Sequence, residues 1–250
     1  MDLSINDIRR NEEGFTLVEL AVVMIIIGLL IGGILKGQEL ITNARIAATG
    51  AQLEAMGAAY NGFRDQYNAI PGDMSTAQAK IEACGNQVAS CFDGTGDGTI
   101  GVNVGAAGAA GANNAAGEPG NFYGQLLAAN FITGMDGTNN VVFGEAYPTA
   151  PIGGGFLVGD TRTGVTAFDA TEMRPGIWVV VNGITGAVAD GSGILTPQQA
   201  ATIDRRIDDG LAGAGSIVGQ DTAANCKAAA GDDAYDVVDS QVCAIAYRIQ

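Results

Sequence analysis
Residues 15–35 read FTLVELAVVMIIIGLLIGGIL, and Thr16 and Glu19 are the only polar side chains among them. As a helix this run spans roughly 30 Å, the thickness of a bilayer core. Arg9 and Arg10 precede it, which predicts a cytoplasmic N-terminus and export of the chain beyond the run. A cleaved secretory signal carries a shorter apolar region, about 7–15 residues. This run is longer and is therefore read as a membrane helix that stays with the chain.

Glu19 is the exception inside the run. A carboxylate at a helix centre costs about 2.5–3.5 kcal/mol on insertion scales, and less near a helix start. Its position admits two readings. The side chain snorkels to the membrane edge, or it is a buried charge that needs a partner. The N-terminus of a neighbouring helix offers a free amine and unpaired N–H groups.

The rest of the chain excludes several functions. With 27 acidic and 12 basic residues the net charge is −15, which disfavours nucleic-acid binding. Histidine is absent, so Ser-His-Asp and Cys-His catalysis and His-ligated metals are out. No nucleophile-elbow or phosphate-loop motif is present, and Gly153-Gly154-Gly155 reads as a plain loop.

Beyond residue 38 the pattern becomes amphipathic. Ile46, Leu53, Met56, Tyr60, Phe63 and Tyr67 form one apolar stripe, predicting a helix that runs to about Tyr67 and stops before Pro71-Gly72-Asp73. Residues 93–120, rich in Ala and Gly, read as a mobile, surface-exposed loop. Asn121 is expected to cap a short helix reaching about Asn130, with Phe122, Leu126 and Leu127 inward. Strands are expected at 141–143, 155–158, 165–168, 177–181 and 243–249, the fourth central because it is apolar on both faces. Thr196-Pro197-Gln198-Gln199 is a capping-box signature for a helix burying Ile203, Ile207 and Leu211 and ending at Gly210. Asp204 and Asp208, with Arg205 and Arg206 between them, have the i, i+4 spacing of a pair that could bind a cation or act as acid and base, but such a run is more often a solvated helix face, which is the preferred reading.

The stretch Gly14-Phe15-Thr16-Leu17-Val18-Glu19-Leu20, ahead of the apolar run, closely resembles the class III signal of type IV pilins and type II secretion pseudopilins. The resemblance is strong over about residues 9–70. It implies that prepilin peptidase cuts between Gly14 and Phe15, that the new N-terminus on Phe15 is N-methylated, and that Glu19 pairs with the Phe15 amine of an adjacent subunit during assembly. The implied partners are further copies and related pilins, the peptidase and the inner-membrane assembly machinery. The implied location is the bacterial inner membrane, then a periplasmic or cell-surface filament. The expected fold is α+β: a leader (1–14), a membrane and assembly helix (15–37), its amphipathic continuation (38–70) and a head (71–250) built on an antiparallel sheet. The expected role is a non-enzymatic pilus subunit, with a secretion pseudopilin or an adhesive minor pilin as alternatives. A membrane-anchored enzyme is the least favoured class. The chain departs from the family at Lys36, where many members have Pro in the helix. It has Gly28, Gly32, Gly33 and Gly37 instead, which fit either close helix packing or local melting. Residues 195–210 also resemble a segment that recurs in the heads of some bacterial pilin-like proteins.

The four cysteines are Cys84, Cys91, Cys226 and Cys243, with no C-x-x-C pair. Export favours disulfides. Of three connectivities, the spacing favours the neighbour pairs Cys84–Cys91 and Cys226–Cys243. The second would close a C-terminal loop onto the last strand, as in many type IV pilins. In Asp93-Gly94-Thr95-Gly96-Asp97-Gly98-Thr99, oxygen side chains alternate as in a calcium loop, making Asp93, Thr95 and Asp97 candidate ligands. Only two are carboxylates and no closing Glu comes after them, so a Gly-rich turn is the preferred reading. No other cofactor is expected.

Overall fold
The computed structural model describes residues 15–221, 226, 227, 229, 231–237, 240 and 242–249. Among these residues the α-helices are α1 (Leu17–Tyr67) and three shorter ones, α2 (Ala77–Lys80), α3 (Glu118–Ala128) and α4 (Pro197–Ile207). Four strands, β1 (Gly155–Asp160), β2 (Ile177–Asn182), β3 (Ile217–Gly219) and β4 (Ile245–Arg248), form one sheet in the order β1-β2-β4-β3. All its pairings are antiparallel. The chain divides into two compact units between Ala44 and Arg45, inside α1.

In the second unit α1 is amphipathic. Ile46, Leu53, Met56, Tyr60 and Phe63 are buried in the core, and Tyr67 packs on its edge. Asn68 ends the helix in a left-handed conformation (φ 51°), its N–H donating to Arg64 O at 2.8 Å. Asn tolerates this geometry better than most residues with a Cβ.

Strand β2 is central and buried along its whole length, as two apolar faces require. Both sheet edges are covered. Asp160 N–H donates to Val102 O and Phe156 N–H to Pro148 O on the β1 side, and Gly219 N–H donates to Ala212 O on the β3 side. Covered edges cannot template pairing with another chain.

Several expectations need correction. Residues 141–143 form no strand but a tight turn, with Glu145 accepting from Thr138 Oγ1 and Asn140 Nδ2 at 2.6 Å each. Residues 165–168 form none either, because Ala167 takes a left-handed φ of 62° and bends the chain. The three-residue β3 is too short for its periodicity to be read. The last strand is confined to Ile245–Arg248, since Cys243 pairs with Leu195 outside it. Helix α3 starts at Glu118, with Gly117 as its cap, and Asn121 is buried within it, donating to Ala112 O at 2.9 Å.

Residues 93–120 pack closely against the head. Ile100 and Val104 are fully buried. At Gly120 a Cβ would lie 2.4 Å from Ala110 Cβ, and at Gly108 it would lie 2.5 Å from Tyr147 Oη. Glycine serves here for close backbone approach rather than for flexibility.

Candidate functional site
Among the described residues, the first part of α1 is exposed rather than packed in a core. The most apolar window of α1 is 0% buried, and large apolar side chains from Phe15 to Ile41 are exposed. At Gly28, Gly32, Gly33 and Gly37 an added Cβ would meet nothing within 4 Å. Lys36 pairs with Glu39 at 2.7 Å on the exposed surface.

At the start of α1 the backbone donors are already engaged. Glu19 Oε2 accepts from Thr16 N–H at 2.9 Å and from Thr16 Oγ1 at 2.8 Å, while Glu19 N–H donates to Thr16 Oγ1 at 3.3 Å. This is a reciprocal capping box, and Leu20 N–H donates to Thr16 O to begin the helix. Thr16 and Glu19 have the Thr-x-x-Glu spacing of a capping box in the sequence itself. Phe15, 90% exposed, is the residue immediately before the cap. Glu19 therefore lies one turn from the backbone nitrogen that a cut after Gly14 would turn into a free amine. Gly14 itself, with Arg9 and Arg10, lies outside the described residues.

The other predicted site residues sit in the head. Cys84 is joined to Cys91 and Cys226 to Cys243, with Cα–Cα distances of 4.9 and 4.6 Å. The second disulfide is fully buried beside Lys227. Lys227 Nζ is also buried and reaches Glu172 Oε2 at 2.5 Å and Asp221 Oδ1 at 3.5 Å. Burial pushes the Glu172 carboxyl up, against the pull of Lys227.

Asp93, Thr95 and Asp97 each turn to a different protein partner. Asp93 accepts from Gln78 N–H at 2.9 Å, Thr95 Oγ1 donates to Glu118 at 2.8 Å, and Asp97 accepts from Thr99 N–H and Oγ1 at 2.8 Å. The loop wraps around Asp73, which accepts from the N–H groups of Gly96, Asp97 and Gly98 at 2.6–2.9 Å. Buried Glu118 likewise accepts from Thr95 N–H and Gly101 N–H. A loop that aims its N–H groups at a carboxylate is built to hold that anion.

Asp204 is fully buried, which corrects the solvated-face reading. It accepts from Tyr235 Oη at 2.9 Å, a partner 31 residues away that helical spacing does not reveal. Helix α4 keeps its expected capping box, with Gln199 N–H on Thr196 Oγ1 at 3.2 Å and Thr196 N–H on Gln199 Oε1 at 3.0 Å. It ends at Ile207, and Leu211, expected in the buried stripe, is 43% exposed, because Asp208 turns the chain out of the helix.

Residues 9–35 match the family described as the prokaryotic N-terminal methylation motif. No characterised protein and no solved structure gives a significant match. The matched segment covers the paired arginines, the Gly14-Phe15 junction, the Thr16–Glu19 cap and the exposed apolar helix. The chain thus carries the prepilin-type signal of type IV pilins and pseudopilins, a mark of prepilin peptidase substrates, on an α+β, pilin-like architecture.

Proposed function
We propose that the mature chain begins at N-methylated Phe15 and is a structural, non-catalytic subunit of a type IV pilus-like filament. The observation that carries this reading is the contrast within α1. Its second half lines the core, while its first half offers a continuous apolar surface that is exposed among the described residues. Such a surface is stable only in lipid or against other helices. Lipid holds the subunit after export, and neighbouring copies of α1 replace lipid in the filament. Glu19 then neutralises the Phe15 amine of an adjacent subunit, exchanging its contact with its own helix start for one across the interface. The contacts on both edges of the sheet support helix-driven assembly, since among the described residues both outer strands hydrogen-bond to neighbouring loop backbone.

Mass spectrometry of the cellular protein tests the processing, and composition of sheared filaments tests the role. A chain starting at methylated Phe15 and present in filaments is expected. A mature chain that retains Arg9 and Arg10, or filaments without it, would overturn the reading.

A further inference from the structure
Where α1 ends, the head carries a polar groove. It consists of two hollows, of about 470 and 380 Å³, that share Tyr67 and Lys80 as lining. Hollows of this size hold small ligands. Asn68, Ser75 and Thr76 line the first, and Glu82, Gln87 and Asn130 line the second. Among the described residues the side chains of Asn68, Ser75, Thr76, Gln87 and Asn130 make no hydrogen bond, and Lys80 and Glu82 form no ion pair. Tyr67, in contrast, is held in place. Its ring centre lies 4.7 Å from that of Phe63, and its Oη accepts from Gln66 Nε2 at 3.2 Å. Ile70 adds apolar surface to the first hollow. Lys80 is the single cation among the described lining residues, and Asp73 and Glu82 supply two carboxylates. The groove therefore lacks the excess of positive charge that selects an anion.

We propose that this groove binds a neutral oligosaccharide, with the fixed ring of Tyr67 as its platform. A pyranose has C–H groups on its faces and hydroxyls around its rim. An aromatic ring with a polar tip suits the faces. Each hydroxyl both donates and accepts, and the rim of the groove offers both functions. The amides of Asn68, Gln87 and Asn130 and the hydroxyls of Ser75 and Thr76 do either, Lys80 donates and Glu82 accepts. Because these groups have no partner within the described chain, a saccharide replaces water on them without breaking an internal bond. Two adjoining hollows admit more than one sugar unit. The groove lies wholly in the head, so the proposal is independent of the filament reading.

Saturation-transfer NMR of the full chain, in a detergent without a sugar headgroup, tests this. The probes are maltotriose, cellotriose, mannotriose and chitotriose at millimolar concentration, with trigalacturonate as the acidic comparison. At least one neutral probe should give saturable transfer, strongest at its ring C–H protons. Lys80→Ala and Gln87→Ala should each weaken that binding about fivefold, the factor carried by one hydrogen bond. Tyr67→Ala should abolish it and Tyr67→Phe should keep it. Should Tyr67→Ala fail to fold, the exposed Lys80 and Gln87 variants carry the test. Gln52→Ala, in a separate hollow beside Met56 and Phe131, should bind as wild type does. Absence of saturable transfer from all four neutral probes would overturn the site. So would binding that the Lys80 and Gln87 variants leave unchanged, or a preference for trigalacturonate over every neutral probe.

Discussion

The two halves of α1 are one continuous helix with opposite fates. From Ile46 to Phe63 apolar residues recur on one face and are buried by the head, while from Leu17 to Ile41 they occupy every face and are exposed. An amphipathic stripe is satisfied by the chain's own fold. An all-round apolar surface needs an environment outside the chain. The second half of α1 is thus part of the head's stability, and the first half is a question of lipid or partners.

Matched substitutions in the two halves probe that difference. Leu53→Ala, in the buried stripe, should destabilise the head by about 2–5 kcal/mol through lost burial and a residual cavity. Leu30→Ala, in the exposed run, should leave thermal unfolding of the head unchanged in detergent. Equal effects at the two sites would mean that the halves unfold as one unit.

Breaking the second disulfide comes next in size. Cys226→Ser with Cys243→Ser should cost about 3 kcal/mol, the chain-entropy value for a loop of this length. Denaturant unfolding of the head reads it, and assembly of the exposed helix should be affected only through loss of folded subunit.

The head also carries a pH-sensitive group. Asp204 is raised from 3.8 to about 6, so the folded state binds the proton more tightly than the unfolded state does. Its contribution is fully present below pH 3.8 and is lost as pH rises through about 6, with a ceiling of roughly 3 kcal/mol. Denaturant midpoints at pH 4.5 and 7 should show this loss in wild type, and Asp204→Asn should remove it.

The smallest effect belongs at the start of the exposed half. Thr16→Ala removes the N-cap and should cost about 1 kcal/mol. Faster exchange of the first-turn amides of α1 would show it, with no change in the head.

The same contrast explains what the sequence discloses. The stripe from Ile46 to Phe63, the apolar run and the Thr196–Gln199 capping box are local patterns, and each is found where it was expected. The Asp73 and Asp204 networks join residues 23–31 positions apart, beyond any helical or strand period. The Ala-Gly tract reads as a loose loop because composition does not distinguish a flexible glycine from one pressed against Ala110 or Tyr147. At Glu19 the cap and the charge are both written in the same four residues, and only the geometry brings the cap forward.

That double role leads to the decisive measurement. Glu19→Gln keeps a side chain able to complete the capping box but removes its charge. Glu19→Ala removes both. Filament yield after shearing, divided by total membrane-held subunit, compares them with wild type. Pairing of Glu19 with a neighbouring Phe15 amine predicts that both variants accumulate, cleaved and soluble in detergent, yet fail to enter filaments, because the amine stays buried and alone at a cost of about 3–5 kcal/mol. Normal filaments from Glu19→Gln would contradict it and leave Glu19 as a helix cap.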